Sequence, residues 1–97
     1  MQLPSQVQIG AIAYDVVAVD DLHGASGKIC GDIDAQRCRI RVDAGLHPQI
    51  QRVTLWHEVL HGILYAAGIA EHDEQQIDAL AHGLVLLLRD NPRLPDA

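Results

Sequence analysis

Apolar and polar positions change their rhythm about halfway along the chain. Up to Val42 the apolar residues are largely β-branched and alternate or run in short blocks, whereas from Pro48 onward they recur every three or four positions. The first half therefore reads as strands and the second as helices, an α+β order. Val7 to Ile9 and Ile12 to Val19 predict one or two strands, with Gly10 at a turn or bulge between them. Residues 20–28 contain Asp20, Asp21, Gly24, Ser26 and Gly27, loop chemistry from which a mobile segment is expected. Ile29 to Asp34 and Arg37 to Val42 then read as an antiparallel hairpin turning at Ala35 and Gln36. A short, even-numbered turn sets Ile33 opposite Cys38 and Cys30 opposite Arg41, so the two cysteines lie on opposite faces and a disulfide between them is not expected. Arg37, Arg39 and Arg41 share the solvated face of the second strand, and Cys38, Ile40 and Val42 the buried one.

From Pro48 or Gln49 to Ala67 the helical stripe is Ile50, Val53, Trp56, Leu60, Ile63, Leu64 and Ala67, with Pro48 suited to the first turn and Gly68 to the stop. Trp56 is expected in the core. A second helix starts near Asp73, which caps it with Gln76 three positions on, turns Ile77, Leu80, Ala81, Leu84, Val85 and Leu88 inward, and ends at Asn91-Pro92. The tail from Arg93 to Ala97 reads as frayed. The expected architecture is a small antiparallel or mixed N-terminal sheet packed on these two helices.

Composition narrows the classes. Ninety-seven residues with 48% hydrophobic and 21% charged positions make a single small globular domain, residues 1–97, rather than a disordered chain. A domain this short buries roughly 60–65% of its unfolded surface, so a bound metal or partner would add usefully to a thin stability margin. Thirteen acids against seven bases give a net charge of −6, which argues against nucleic acid as a partner. No run reaches the ~18–20 apolar residues that cross a bilayer, and Met1 to Gln6 lacks the basic start and apolar core of a leader; no membrane association and a cytoplasmic location are expected. Two cysteines fall short of a secreted disulfide framework. Oligomeric state is left open, although Leu86 and Leu87 are apolar positions on which a dimer can form.

The chemistry lies in His57-Glu58-Val59-Leu60-His61, an HExxH pattern inside the first helix. Positions i and i+4 share a face, so both imidazoles reach one metal ion while Glu58 addresses a water held there. Chance alone yields such a pattern in about one chain per hundred of this composition. A third ligand is at hand, because the second helix opens with Glu74 and Asp78, again one turn apart. Glu74, at the helix start, reaches outward as a ligand; Asp78, one turn deeper, suits the N–H of a ligating histidine, with the exchange of these two roles left open. Tyr65, His72, His82 and Tyr14 are candidate donors to a developing oxyanion, His82 and Tyr65 being favoured. His23 and His47 receive no role, nor does His72 beyond that candidacy.

His57 to His61 followed by Glu74-Gln75-Gln76-Ile77-Asp78 resembles the gluzincin metallopeptidases, and residues 74–81 are similar to the corresponding helix of the ImmA/IrrE metallopeptidase-like family, often encoded by phages or mobile elements. The likeness covers roughly residues 48–92, and length and element order place the chain with the smallest, minigluzincin-like forms. Only 12 residues separate His61 from Glu74, and Leu80 stands where ImmA/IrrE proteins usually carry Phe. The resemblance implies a zincin-like fold, zinc held by His57, His61 and Glu74, Asp78 supporting a histidine, and a peptide or protein substrate laid over the hairpin edge. The implied activity is that of a zinc-dependent endopeptidase in which Glu58 activates a zinc-bound water. The alternative is a catalytically silent or latent zinc-binding interaction module, its cleft closed by its own tail.

Overall fold

A computed structural model of the chain describes residues 3–97. Met1 and Gln2, where the stretch read as carrying no leader begins, lie outside the described residues. Six strands, β1 (Gln6–Ile9), β2 (Ile12–Val19), β3 (His23–Gly24), β4 (Gly27–Lys28), β5 (Gly31–Asp34) and β6 (Arg39–Asp43), precede two helices, α1 (Pro48–Ala66) and α2 (Glu74–Asp90), and a final 3-10 turn at Leu94–Asp96. The order is α+β, as the change of rhythm predicts. Four strands form one sheet in the order β1-β2-β6-β5. β1 with β2 and β6 with β5 are antiparallel, but β2 and β6 run parallel, so the sheet is mixed.

Strand alternation builds the core. Ile40 and Val42 on β6 are 0% exposed and pack with Ile9, Tyr14 and Leu55, while Arg39 faces solvent and Arg41 is half-buried on the other face. Arg41 is not simply solvated: it holds the Asp32 carboxylate across the strand pair through both Nε, at 2.9 Å, and Nη2. α1 lies on the sheet by way of two glycines. A Cβ on Gly62 would meet Ile9 Cδ1 at 2.7 Å, and one on Gly31 of β5 would meet Thr54 Cγ2 at 2.6 Å, so helix and strand approach more closely than any side chain at those positions permits.

Several expectations are corrected. The hairpin turn is four residues, Ala35 to Cys38, and Ile33 lies opposite Ile40 rather than Cys38, so Cys30 faces Asp43 rather than Arg41. The cause is local: the Asp34 carboxylate accepts the N–H groups of Gln36 and Arg37, both at 3.0 Å, which carries the turn on to Cys38 in the left-handed region at φ 55°. Both cysteines are free. Residues 20–28 are not a plain loop but carry the β3–β4 hairpin, pinned by Leu22, which is buried, and by the buried Asp43 carboxylate. Asp43 accepts from Leu22 N–H at 3.3 Å and Gly45 N–H at 2.7 Å, with Lys28 Nζ at 3.7 Å. These donors, the Gly45 N–H first, hold the Asp43 carboxyl below the usual carboxylate range.

The α1 stripe is also displaced. Its buried positions are Thr54, Leu55, Glu58, His61 and Gly62, whereas Ile50 and Ile63 are exposed and Trp56 is only half-buried in a surface hollow with Pro4 and Val7. On α2 only Ile77 and Ala81 are buried, Leu84, Val85 and Leu88 are half-buried, and Leu80 is 55% exposed. The tail forms its short 3-10 turn rather than fraying. Among the described residues no helix is long and apolar enough to cross a membrane.

Candidate metal centre

Helix geometry and one sharp turn assemble the site. His57 and His61 stand one turn apart on α1, and α1 then ends in a Schellman turn in which Ile69 N–H reaches the Leu64 carbonyl (2.9 Å), Gly68 N–H reaches Tyr65 (3.0 Å), and Gly68 takes φ +81°. The chain reverses, Asp73 caps α2 by accepting Gln76 N–H at 3.1 Å, and Glu74 emerges in the first turn of α2. His57 Nε2 lies 3.0 Å from Glu74 Oε2, His61 Nε2 3.1 Å from Glu74 Oε1, and the two Nε2 atoms are 3.2 Å apart. One ligand atom from each of the three residues falls within 4.8 Å of the others, and the group can hold a metal ion.

The donor set fits a divalent cation on chemical grounds. Asp78 Oδ1 is 3.4 Å from His57 Nδ1, so a proton carried there faces a carboxylate and leaves the Nε2 lone pair free for an ion. The Nε2–Nε2 separation of 3.2 Å is close to the edge of about 3.3 Å of a tetrahedron with ~2.05 Å bonds, and each nitrogen has one of the two Glu74 oxygens at a similar distance. Of the two acidic candidates, Glu74 has an oxygen within 3.1 Å of each Nε2, and Asp78 lies 3.4 Å from the other ring nitrogen of His57.

Glu58 is 7% exposed and sits in the wall of the cleft that runs past His57. Burial pushes its carboxyl up to about 7, the negative charges of Glu74 and Asp32 acting in the same direction and His57 opposing. Burial likewise lowers the pKa of His61, favouring the neutral ring that a metal needs. The cleft has two halves that share His57 and Glu58. One, of about 310 Å³, is lined by Cys30, Ile50, Val53 and His82; the other, of about 460 Å³, by Gly24 to Ser26, Asp32, Tyr65 and Glu74. Residues 92–97 line neither half, so the tail is not the plug that a self-closed cleft would require.

Gly31 lines both halves, and β5 is the outer strand of the sheet. Asp43 N–H donates to the Cys30 carbonyl at 2.8 Å, and antiparallel alternation then turns Asp32 and Asp34 towards β6, leaving the backbone N–H and C=O of Gly31 and Ile33 on the free edge.

The oxyanion candidates separate by position. Tyr14 is buried in the core, where burial raises its pKa. His72 has both ring nitrogens occupied within the protein, Nδ1 against His61 and Nε2 against the Ile69 carbonyl. His82 and Tyr65 line opposite halves of the cleft. His82 Nδ1 donates to the Asp78 carbonyl at 2.9 Å, so a neutral His82 offers only a lone pair at Nε2, whereas Tyr65 carries a hydroxyl donor. His23 bonds the Asp21 carbonyl at the surface, and His47 caps α1 by accepting Gln49 N–H at 3.1 Å. The residue that sequence reasoning missed is His72 in its contact with His61; no periodicity or spacing marks it. No protein-family model, curated protein or solved structure matches the chain.

Proposed function

We propose that this protein is a small zinc-dependent endopeptidase with a zincin-like fold of the gluzincin type. The observation that carries the reading is the pairing of a three-ligand site with Glu58. A structural zinc site is closed by four protein ligands and has no use for a buried carboxylate beside them, whereas a hydrolytic site keeps a position open and needs a base there. His57, His61 and Glu74 would hold the ion, and Asp78 would orient His57. Zinc, when bound, supplies Lewis acidity that polarises a carbonyl and acidifies water.

The rest is the work of the chain's own groups. The free edge at Gly31 and Ile33 offers alternating N–H and C=O groups to an extended peptide, which is bound as an added strand beside Glu58. Glu58, with its affinity for a proton raised by burial, accepts a proton from the attacking water and returns it to the departing amine. Tyr65, lining the half of the cleft that holds Glu74, donates to the oxygen that gains charge.

The test is elemental analysis of untagged protein followed by a screen of mixed unstructured peptides. About one zinc per chain and cleavage that falls by about 10²–10⁴-fold in Glu58→Gln, with zinc retained, is the expected result. Undiminished cleavage in Glu58→Gln, or folded wild type that takes up no zinc, refutes the reading.

A further inference from the structure

His72 lies in the connection between α1 and α2, half-buried and edge-on to His61. Its Nδ1 is 2.6 Å from His61 Nδ1, and its Nε2 is 2.6 Å from the Ile69 carbonyl oxygen. The two ring planes are only 24° apart, with centroids at 4.9 Å, so with the nitrogens at 2.6 Å the rings meet edge to edge and not face to face. Tyr65 packs against His72 with a centroid separation of 4.6 Å.

The proton positions follow from one carbonyl. The Ile69 oxygen can only accept, so the single N–H of a neutral His72 resides on Nε2 and its Nδ1 carries a lone pair. The facing His61 Nδ1 must then be the donor, which leaves the lone pair of His61 on Nε2, the atom 3.1 Å from Glu74 and 3.2 Å from His57. We propose that His72 is a positioning residue that fixes the tautomer and ring orientation of His61 through a His61-to-His72-to-Ile69 relay anchored on the turn that ends α1. The consequence for metal affinity rests on the function proposed above; the tautomer does not. Both nitrogens of His72 are engaged, so it acts through His61 and is not itself a ligand. The two histidines of the pair thus have different neighbours at Nδ1, His57 a carboxylate from α2 at 3.4 Å and His61 a second imidazole from the connection.

Long-range proton–nitrogen correlation spectra of histidine-labelled, metal-free wild type, at a pH where both rings are neutral, test the relay without any substitution. The expected pattern is a proton on Nδ1 of His61 and on Nε2 of His72; a proton on Nε2 of His61 overturns the proposal. Zinc titration against a chromophoric chelator tests the consequence. His72→Phe, which keeps a planar ring but no acceptor, is expected to weaken zinc binding by about 10- to 100-fold, and His72→Asn, whose side-chain oxygen can accept from His61, to recover most of that loss. Wild-type affinity in His72→Phe, or equal weakening in both variants, would mean that the ring only fills space. Should His72→Phe not fold, the wild-type spectra still decide. Wild type that binds no zinc would remove the proposed function, while the spectra would still accept or reject the relay.

Discussion

The inner face of β6 and the cleft-facing side of α1 are both buried, but for opposite reasons. Ile40 and Val42 are enclosed by Ile9, Tyr14 and Leu55, and their burial stabilises the fold by removing apolar surface from water. Thr54, Glu58 and His61 are about as enclosed, yet two of the three bear ionisable groups whose burial opposes ionisation. The first surface holds the molecule together; the second is carried by it. Apolar periodicity reports the first kind of burial and is blind to the second.

Substitutions separate the two surfaces. The largest expected effect is that of His61→Ala on the holo protein. At free zinc about 1,000 times its Kd, wild type gains about 4 kcal/mol from binding, and the variant should lose this gain together with the metal while its metal-free unfolding changes far less. Denaturant unfolding with and without zinc measures the gap. Next, Ile40→Ala should cost about 2–5 kcal/mol whether or not zinc is present, because the packing lost is that with Ile9, Tyr14, Val42 and Leu55 and involves none of His57, His61 and Glu74. A zinc-dependent penalty there would collapse the distinction.

A pH series sharpens the comparison further. Glu58 has a folded pKa of about 7 against an ordinary 4.5, so between these values the folded chain retains a proton that the unfolded chain has released, and metal-free stability falls as pH rises. Glu58→Gln removes this dependence and should be the more stable protein at pH 7 and above by up to about 3 kcal/mol, the difference vanishing below pH 4.5. His61 titrates with the opposite sign, its lowered pKa making acid destabilising, but it is common to both proteins and cancels in the comparison. Identical pH profiles would show that Glu58 is not held as a buried carboxyl. The smallest effect is expected outside both surfaces: Arg41→Gln breaks a half-exposed ion pair and should change stability by less than about 1 kcal/mol, and less still at high salt.

The same distinction explains what could be read from the residues. Alternation over Arg39 to Val42 and the spacing from His57 to His61 were legible because each is a repeat imposed by backbone geometry. The stripe through Ile50, Trp56 and Ile63 misled because α1 meets a sheet through Gly62 and Thr54 while His57 and His61 meet α2. The hairpin register depended on one carboxylate, Asp34, capturing two N–H groups, and the order of residues 20–28 on one apolar side chain, Leu22, and one buried acid, Asp43. His72 reaches His61 only because the turn after α1 supplies a carbonyl at Ile69, a relation between backbone and side chain that no residue pattern encodes.

The parallel pairing of β2 with β6 has a consequence for the order in which the molecule is made. Those two strands are adjacent in space, yet the β3–β4 hairpin and β5 lie between them in the chain, so a growing chain cannot complete its sheet until Asp43 has left the ribosome. The candidate ligands, by contrast, come from two consecutive helices and lie at most 17 residues apart, against 24 for each β2–β6 pair. Loop-closure entropy makes the long-range strand pair the slower event, and the refolding rate of this small protein should follow changes in the segment between Asp20 and Arg39 more than changes near the metal centre.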